Sequence, residues 1–169
     1  VLIFNGVALR QGGRLLFEQA SFQISSGQKV GITGANGAGK SSLFSLILGD
    51  LAEDSGHFEK PQSWRLAHVA QHVHSGDQTA LAYVLAGDTV LAQTRQALAE
   101  AEAAEDWHRL PALHEKLHAI NGYDAEARAA RLLDGLGFAP DTLEQPVGQF
   151  SGGWQMRLAL GRALMCPSD

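Results

Sequence analysis

The sequence predicts an α/β fold: a β-rich start, a strand–loop–helix unit, a helical insert, then a glycine turn and a last helix. Three observations carry that expectation. Apolar, β-branched runs alternate with turn residues over the first seventy positions. An Ala/Leu/Glu-rich stretch from about Thr79 to Gly137 has apolar residues at helical spacing. Two glycine-rich turns, "GITGANGAGKSS" and "FSGGWQMRLALGRAL", each run into a helix-like segment.

Taken in order, "VLIFNGVAL" is apolar and β-branched, and "RQGG" turns the chain. "RLLFEQASFQI" follows, with Ala20, Phe22 and Ile24 alternating as on a half-buried strand. "KVGIT" is a short apolar strand leading straight into the glycines at 34, 37 and 39. "KSSLFSLILG" has the composition of a buried helix stopped by Gly49. "HFEK" and "RLAHVA" read as two further short strands. The insert reads as three or four helices, broken around Gly87, at Pro111 and around Gly122. Its Ala/Glu block at 97–106 is equally well read as a solvated helix face.

Bulk properties bound the function. A chain of 169 residues can bury roughly 70% of its unfolded surface, enough for a core. Thirteen basic against 18 acidic residues give a net charge of −5, so no general basic field recruits nucleic acid. The single cysteine, Cys166, forms no internal disulfide and fits a reducing compartment. No apolar run approaches the ~18 residues that span a bilayer. The expectation is a cytoplasmic domain, trimmed at a start that is Val1 rather than methionine.

The first glycine run is expected to bind phosphate. Gly34, Ala35, Asn36, Gly37, Ala38, Gly39, Lys40 and Ser41 match G-x-x-x-x-G-K-[ST]. Glycines let backbone N–H groups turn inward around phosphate oxygens, and the following helix, which continues through Ser42, points its positive end at the same anion. Lys40 adds a point charge at the β- and γ-phosphates, and the Ser41 hydroxyl is a ligand for Mg²⁺. Average composition yields this pattern in roughly one chain in two hundred of this length. The flanking strand-like and helix-like segments therefore decide in its favour.

Ser151, Gly152 and Gly153, preceded by Phe150 and heading a helix that carries Arg157, resemble the signature turn of ATP-binding cassette (ABC) proteins. The family's usual wording is Leu-Ser-Gly-Gly-Gln; here Phe150 and Trp154 stand at the outer positions. Eighty positions separate Gln71 from Ser151, longer than the insert of an ordinary transporter cassette, and the wording of that insert is similar to the first cassette of the ABC-F subfamily.

The resemblance implies a P-loop NTPase core of ABC type, with an N-terminal antiparallel β subdomain and an enlarged helical subdomain. Residues 1–75 would form the β subdomain and P-loop core, 76–149 the helical subdomain, and 150–169 the signature turn and helix. The cofactors implied are ATP and Mg²⁺. Gln71 takes the place of the family's Q-loop glutamine, contacting Mg²⁺ and the attacking water, so that Lys40 and Gln71 are the implied catalytic residues and Ser41 and Gln71 the metal contacts. Two cassettes of one chain would dock head to tail, with Ser151, Gly152 and Gly153 gripping the γ-phosphate held by the other cassette. ABC-F proteins lack membrane domains, and the implied partner is the ribosome and its RNA. The alternative is the ATP-binding subunit of a membrane transporter.

Beyond the outer signature positions, two further points set the sequence apart from the family pattern. The position that usually stacks an aromatic on adenine holds Arg10 and Gln11; Arg10 is either a stacking guanidinium or a solvated charge. The family's Walker B aspartate and catalytic glutamate lie beyond the position of Asp169, so this piece is expected to bind nucleotide weakly without turning it over. His68, His72 and His74, with His57 near them in sequence, are weighed as a metal site and set aside for want of Cys or acidic partners. Trp154 is expected to pack at the cassette interface and Trp107 in a core or cap; Met156, Leu158, Leu160 and Leu164 read as the buried side of the last helix. Arg128 and Arg131 either touch RNA or decorate a helix.

Overall fold

A computed structural model describes residues 1–70 and 77–167. Strand β1, Leu2–Gln11, buries Leu2, Phe4, Val7 and Leu9. Strict alternation would put residues 4 and 7 on opposite faces. A register shift between Phe4 and Val7, at Gly6 with φ 60°, restores both to the core. Gly12 and Gly13, at φ 58° and 80°, make the two-residue turn into β2, Arg14–Ile24, with Gln11 paired to Arg14. Strand β3, Ser55–Glu59, pairs antiparallel on the other side of β1, giving the order β2-β1-β3.

Helix α1, Lys40–Leu48, ends at Gly49 in the left-handed region (φ 92°), whose N–H donates to Ser45 O and Leu46 O. Leu46 joins the four buried β1 residues in one core, with Leu16, Phe17, Phe58 and Trp64 at its edge. Phe22 is 40% exposed yet stacks on Phe4 at 4.3 Å. Its alternation signal is therefore a cross-strand pair rather than deep burial.

Two expected strands are corrected. Residues 29–33 ("KVGIT") and 65–70 ("RLAHVA") form no ladder among the described residues. A strand exists only with a hydrogen-bonded neighbour, and apolar composition supplies none. Val30 and Val69 are accordingly exposed.

The chain divides into two units, Val1–Trp64 and Arg65–Asp169, boundaries unlike the three segments drawn from sequence. The second unit is helical: α2 Ala80–Leu85, α3 Thr89–Ala103, α4 Leu110–Ala119, α5 Ala125–Gly135 and α6 Gly152–Met165. Val84, Leu91, Ala129, Leu133, Phe138, Val147 and Leu158 make its core. Thr79 and Asp88 cap α2 and α3, accepting from Ala82 N and Leu91 N. Asp88 is 4% exposed, and the Arg128 guanidinium lies 4.0 Å from its free carboxylate oxygen while donating to Asn121 O. Arg128 is therefore tied into its own unit.

Other expectations change here. Pro111 does not break a helix; it sits in the first turn of α4, where its missing N–H costs nothing, and residues 104–109 make the break. Trp107 lies in that break and is 69% exposed, not in a core. In the Ala/Glu block, Ala101 is buried and most of the rest faces solvent. Of the four α6 residues expected inside, only Leu158 is buried; Met156, Leu160 and Leu164 are exposed. The face turned to α2 and α5 is instead Leu158, Gly161 and Met165, spaced one helical turn apart.

Small residues set how closely these helices approach. A Cβ on Gly87 would lie 1.9 Å from Arg162 O on α6, whereas one on Gly135 would meet nothing. Gly87→Ala should cost about 2 kcal/mol or more and lower the melting temperature by roughly 5 °C. Gly135→Ala should raise stability by about 0.5 kcal/mol. Calorimetric melting of both variants checks the pair.

Candidate functional site

The phosphate-type loop begins where Gly34 takes φ 154° and continues through Gly37 at 78° and Gly39 at 91°. These values favour glycine, and the last is doubly restricted. Gly39 is the N-cap of α1, and a Cβ on it would lie 3.0 Å from Leu16 Cβ on β2. The loop is thus seated against the sheet by the one residue type that fits.

Lys40 opens α1, and its ammonium donates to Gly34 O at 2.7 Å and to Ala35 O at 2.8 Å. The charge is held across the mouth of the loop, with a third proton left for an anion. Ala35, Asn36, Gly37, Ala38 and Ser41 are exposed. Ser42 is 8% exposed and donates to Gln11 Oε1 at 2.8 Å. A loop of positive-φ glycines, a cation at its mouth and an exposed hydroxyl at a helix N-terminus fit a nucleotide polyphosphate with its divalent ion.

That geometry also separates Arg10 from Gln11. Arg10 lines a cleft with Gly6, Ala8, Glu18 and Asp54, whereas Gln11 reaches α1. Successive strand residues point to opposite faces, so Gln11 and not Arg10 is the one turned toward the loop helix.

In the second unit Ser151 is the N-cap of α6, with φ −63° and ψ 158°, and its side chain makes no capping hydrogen bond. Gly152 and Gly153 follow, both exposed and with open space where a Cβ would stand. A hydroxyl and the first N–H groups of a fourteen-residue helix therefore face outward together.

What fixes the turn is a set of contacts the motif does not announce. Gln155 Nε2 donates to Phe150 O at 2.9 Å and to Val147 O at 3.3 Å. Phe138 packs edge-on to Phe150 at 5.5 Å and to Trp154 at 4.8 Å. Arg157 lies 4.5 Å from the Trp154 ring centre and donates to Leu136 O at 3.2 Å. The two aromatics at unusual signature positions are thus one packing unit around Phe138, and Trp154, half-buried, packs against the core of its own unit. Sequence reasoning missed Phe138 and Gln155; aromatics at 138, 150 and 154 were the available signal.

Gln71, His72 and His74 lie outside the described residues. Among the described residues no group of three or more His, Cys, Asp or Glu is placed to hold a metal ion, and His57 lies 3.8 Å from Glu59. Burial, with Asp88 adding to it and Arg65 opposing, pushes the Cys166 thiol above its ordinary pKa, so it is a poor nucleophile. No helix among the described residues is long and apolar enough to cross a membrane.

Residues 17–169 match the family model described as "ABC transporter". The chain is 43% identical over its whole length to "Probable ATP-binding protein YheS" of Escherichia coli K12, covering 26% of that protein. It is 38% identical over 167 residues to "ATP-binding cassette sub-family F member 3" of Mus musculus, covering 94% of this chain and 23% of the relative. It therefore spans about a quarter of the length of the curated relatives it matches. A metal-chelate type ABC transporter solved in an inward-facing conformation shares the fold, with TM-score 0.63 at 20% identity over 97% of this chain and 55% of that one. The glycine loop with its lysine, the outward-facing Ser-Gly-Gly turn and the matched family model agree: the chain belongs to the ATP-binding cassette family, as an ABC-F type ATP-binding domain.

Proposed function

We propose that the intact protein is a cytoplasmic ATPase whose two cassettes close head to tail on Mg-ATP, and that this closure acts on the ribosome. The observation that carries the nucleotide part is the loop itself: Gly34, Gly37 and Gly39 at positive φ, with the Lys40 ammonium across its mouth. Backbone N–H groups from Ala35 to Ser42 bind phosphate oxygens, Lys40 neutralises the β- and γ-phosphates, and the Ser41 hydroxyl holds the ion. Mg²⁺, when bound, supplies charge neutralisation at the phosphates. Gln71 orients the attacking water, a role carried by family position alone.

The Ser151 turn serves the other cassette. Its hydroxyl is not engaged as a cap, and Gly152 and Gly153 keep the helix end open, so the turn offers a second anion site to a γ-phosphate held by the partner cassette. The ribosomal part rests on the ABC-F resemblance alone; the sub-family F relatives are 36–38% identical to this chain. A second reading, the ATP-binding subunit of a transporter, is favoured by the description of the matched family and the transporter fold likeness, and is the weaker at 20% identity.

Three measurements test this. Lys40→Ala in the intact protein should weaken Mg-ATP binding about a hundredfold by titration calorimetry, and unchanged affinity sinks the reading. Gly152→Asp places a carboxylate where the γ-phosphate is to land. It should lower kcat about a hundredfold or more while ATP affinity at the loop stays near wild type. The intact protein, held with a non-hydrolysable ATP analogue, should sediment with ribosomes; its absence from the pellet removes the ribosomal part and leaves the ATPase part standing.

A further inference from the structure

The β1–β2 hairpin touches the phosphate loop at three places. Gln11 accepts from Ser42, Leu16 lies against Gly39, and at the tip Arg14 reaches Gly37. A Cβ built on Gly37 would lie 4.0 Å from Arg14 Nη1. Arg14 is exposed, and its guanidinium makes no hydrogen bond or ion pair with any described residue. The hairpin sets the backbone position of Arg14. Gly12 and Gly13 hold Arg14 opposite Gln11, and Gln11 is bonded to α1.

An uncompensated cation beside inward-turned amides has one ligand chemistry that suits it. Lys40 is bonded to the carbonyls of Gly34 and Ala35, so the side of the loop at Gly37 carries a separate charge. On a chain of net charge −5, that is a local positive field at the loop. A guanidinium offers phosphate a planar fork of donors, which an ammonium does not.

We infer that Arg14 is a second cation of the phosphate site, making a charge-assisted hydrogen bond to the polyphosphate of a bound nucleoside triphosphate beside Lys40. The inference rests on the nucleotide-binding reading above and adds to it a residue outside the glycine motif. Because the contact is to phosphate, its contribution is the same whatever base the nucleotide carries. It is also screened by salt.

The test uses the intact protein with fluorescent mant-ATP and mant-GTP. Arg14→Gln should weaken both nucleotides by the same factor, about tenfold, and flatten the dependence of affinity on salt; Arg14→Lys should recover part of the loss. Wild-type affinity in Arg14→Gln overturns the proposal. A loss that differs between the two bases also overturns it, because the residue then touches the base. A merely structural role would lower the melting temperature of both Arg14 variants and leave affinity and salt dependence unmoved, which again overturns it. Lys40→Ala, run alongside, keeps the two readings apart: unchanged affinity there counts against nucleotide binding at the loop as a whole, not against Arg14.

Discussion

Everything at the phosphate loop depends on a steric fact at Gly39. Its φ of 91° is unfavourable for any side chain, and a methyl group there would crowd Leu16 of β2, whose Cβ stands 3.0 Å away. The loop is therefore shaped by the sheet as much as by its own glycines. A hairpin whose only sequence label is "RQGG" turns out to carry the backing wall of the site. Gly6 serves the same sheet more quietly, by letting Phe4 and Val7 face one core.

The signature turn is supported by another kind of packing. Glycines leave its front open, and the stiffness comes from behind, through Phe138, Phe150 and Trp154 and the two hydrogen bonds of Gln155. The residues at 150 and 154 that look unusual beside the family wording are the ones that brace the turn. A polar residue at 154 would leave the Phe138 ring without that face, so these aromatic positions are coupled to each other more tightly than to the glycines between them.

How much of this was readable beforehand follows the range of the forces involved. The glycine loop, its helix and the Gly49 stop were legible because φ preferences and caps are local. So were β1, β2 and β3, whose hairpin and pairing partners lie within sixty residues. Residues 29–33 and 65–70 were misread because apolar composition does not state which backbone supplies the ladder. The buried face of α6 was misjudged for a related reason: its stripe of 156, 160 and 164 is as periodic as the true one through 158, 161 and 165. Only the neighbours α2 and α5 decide between them. Trp107, large and aromatic, drew an expectation of burial that its place in a loop between helices does not meet. Phe138 and Gln155 had no motif to announce them; they matter through contacts made across more than ten residues or one helical turn.

The bond from Lys40 to the carbonyls of its own loop has a thermodynamic consequence. It ties the first residues of the loop to the start of the helix, so the entropy of ordering that segment is lost when the chain folds rather than when a ligand arrives. A site braced in this way gains affinity without gaining contacts, and the lysine contributes to shape as well as to charge.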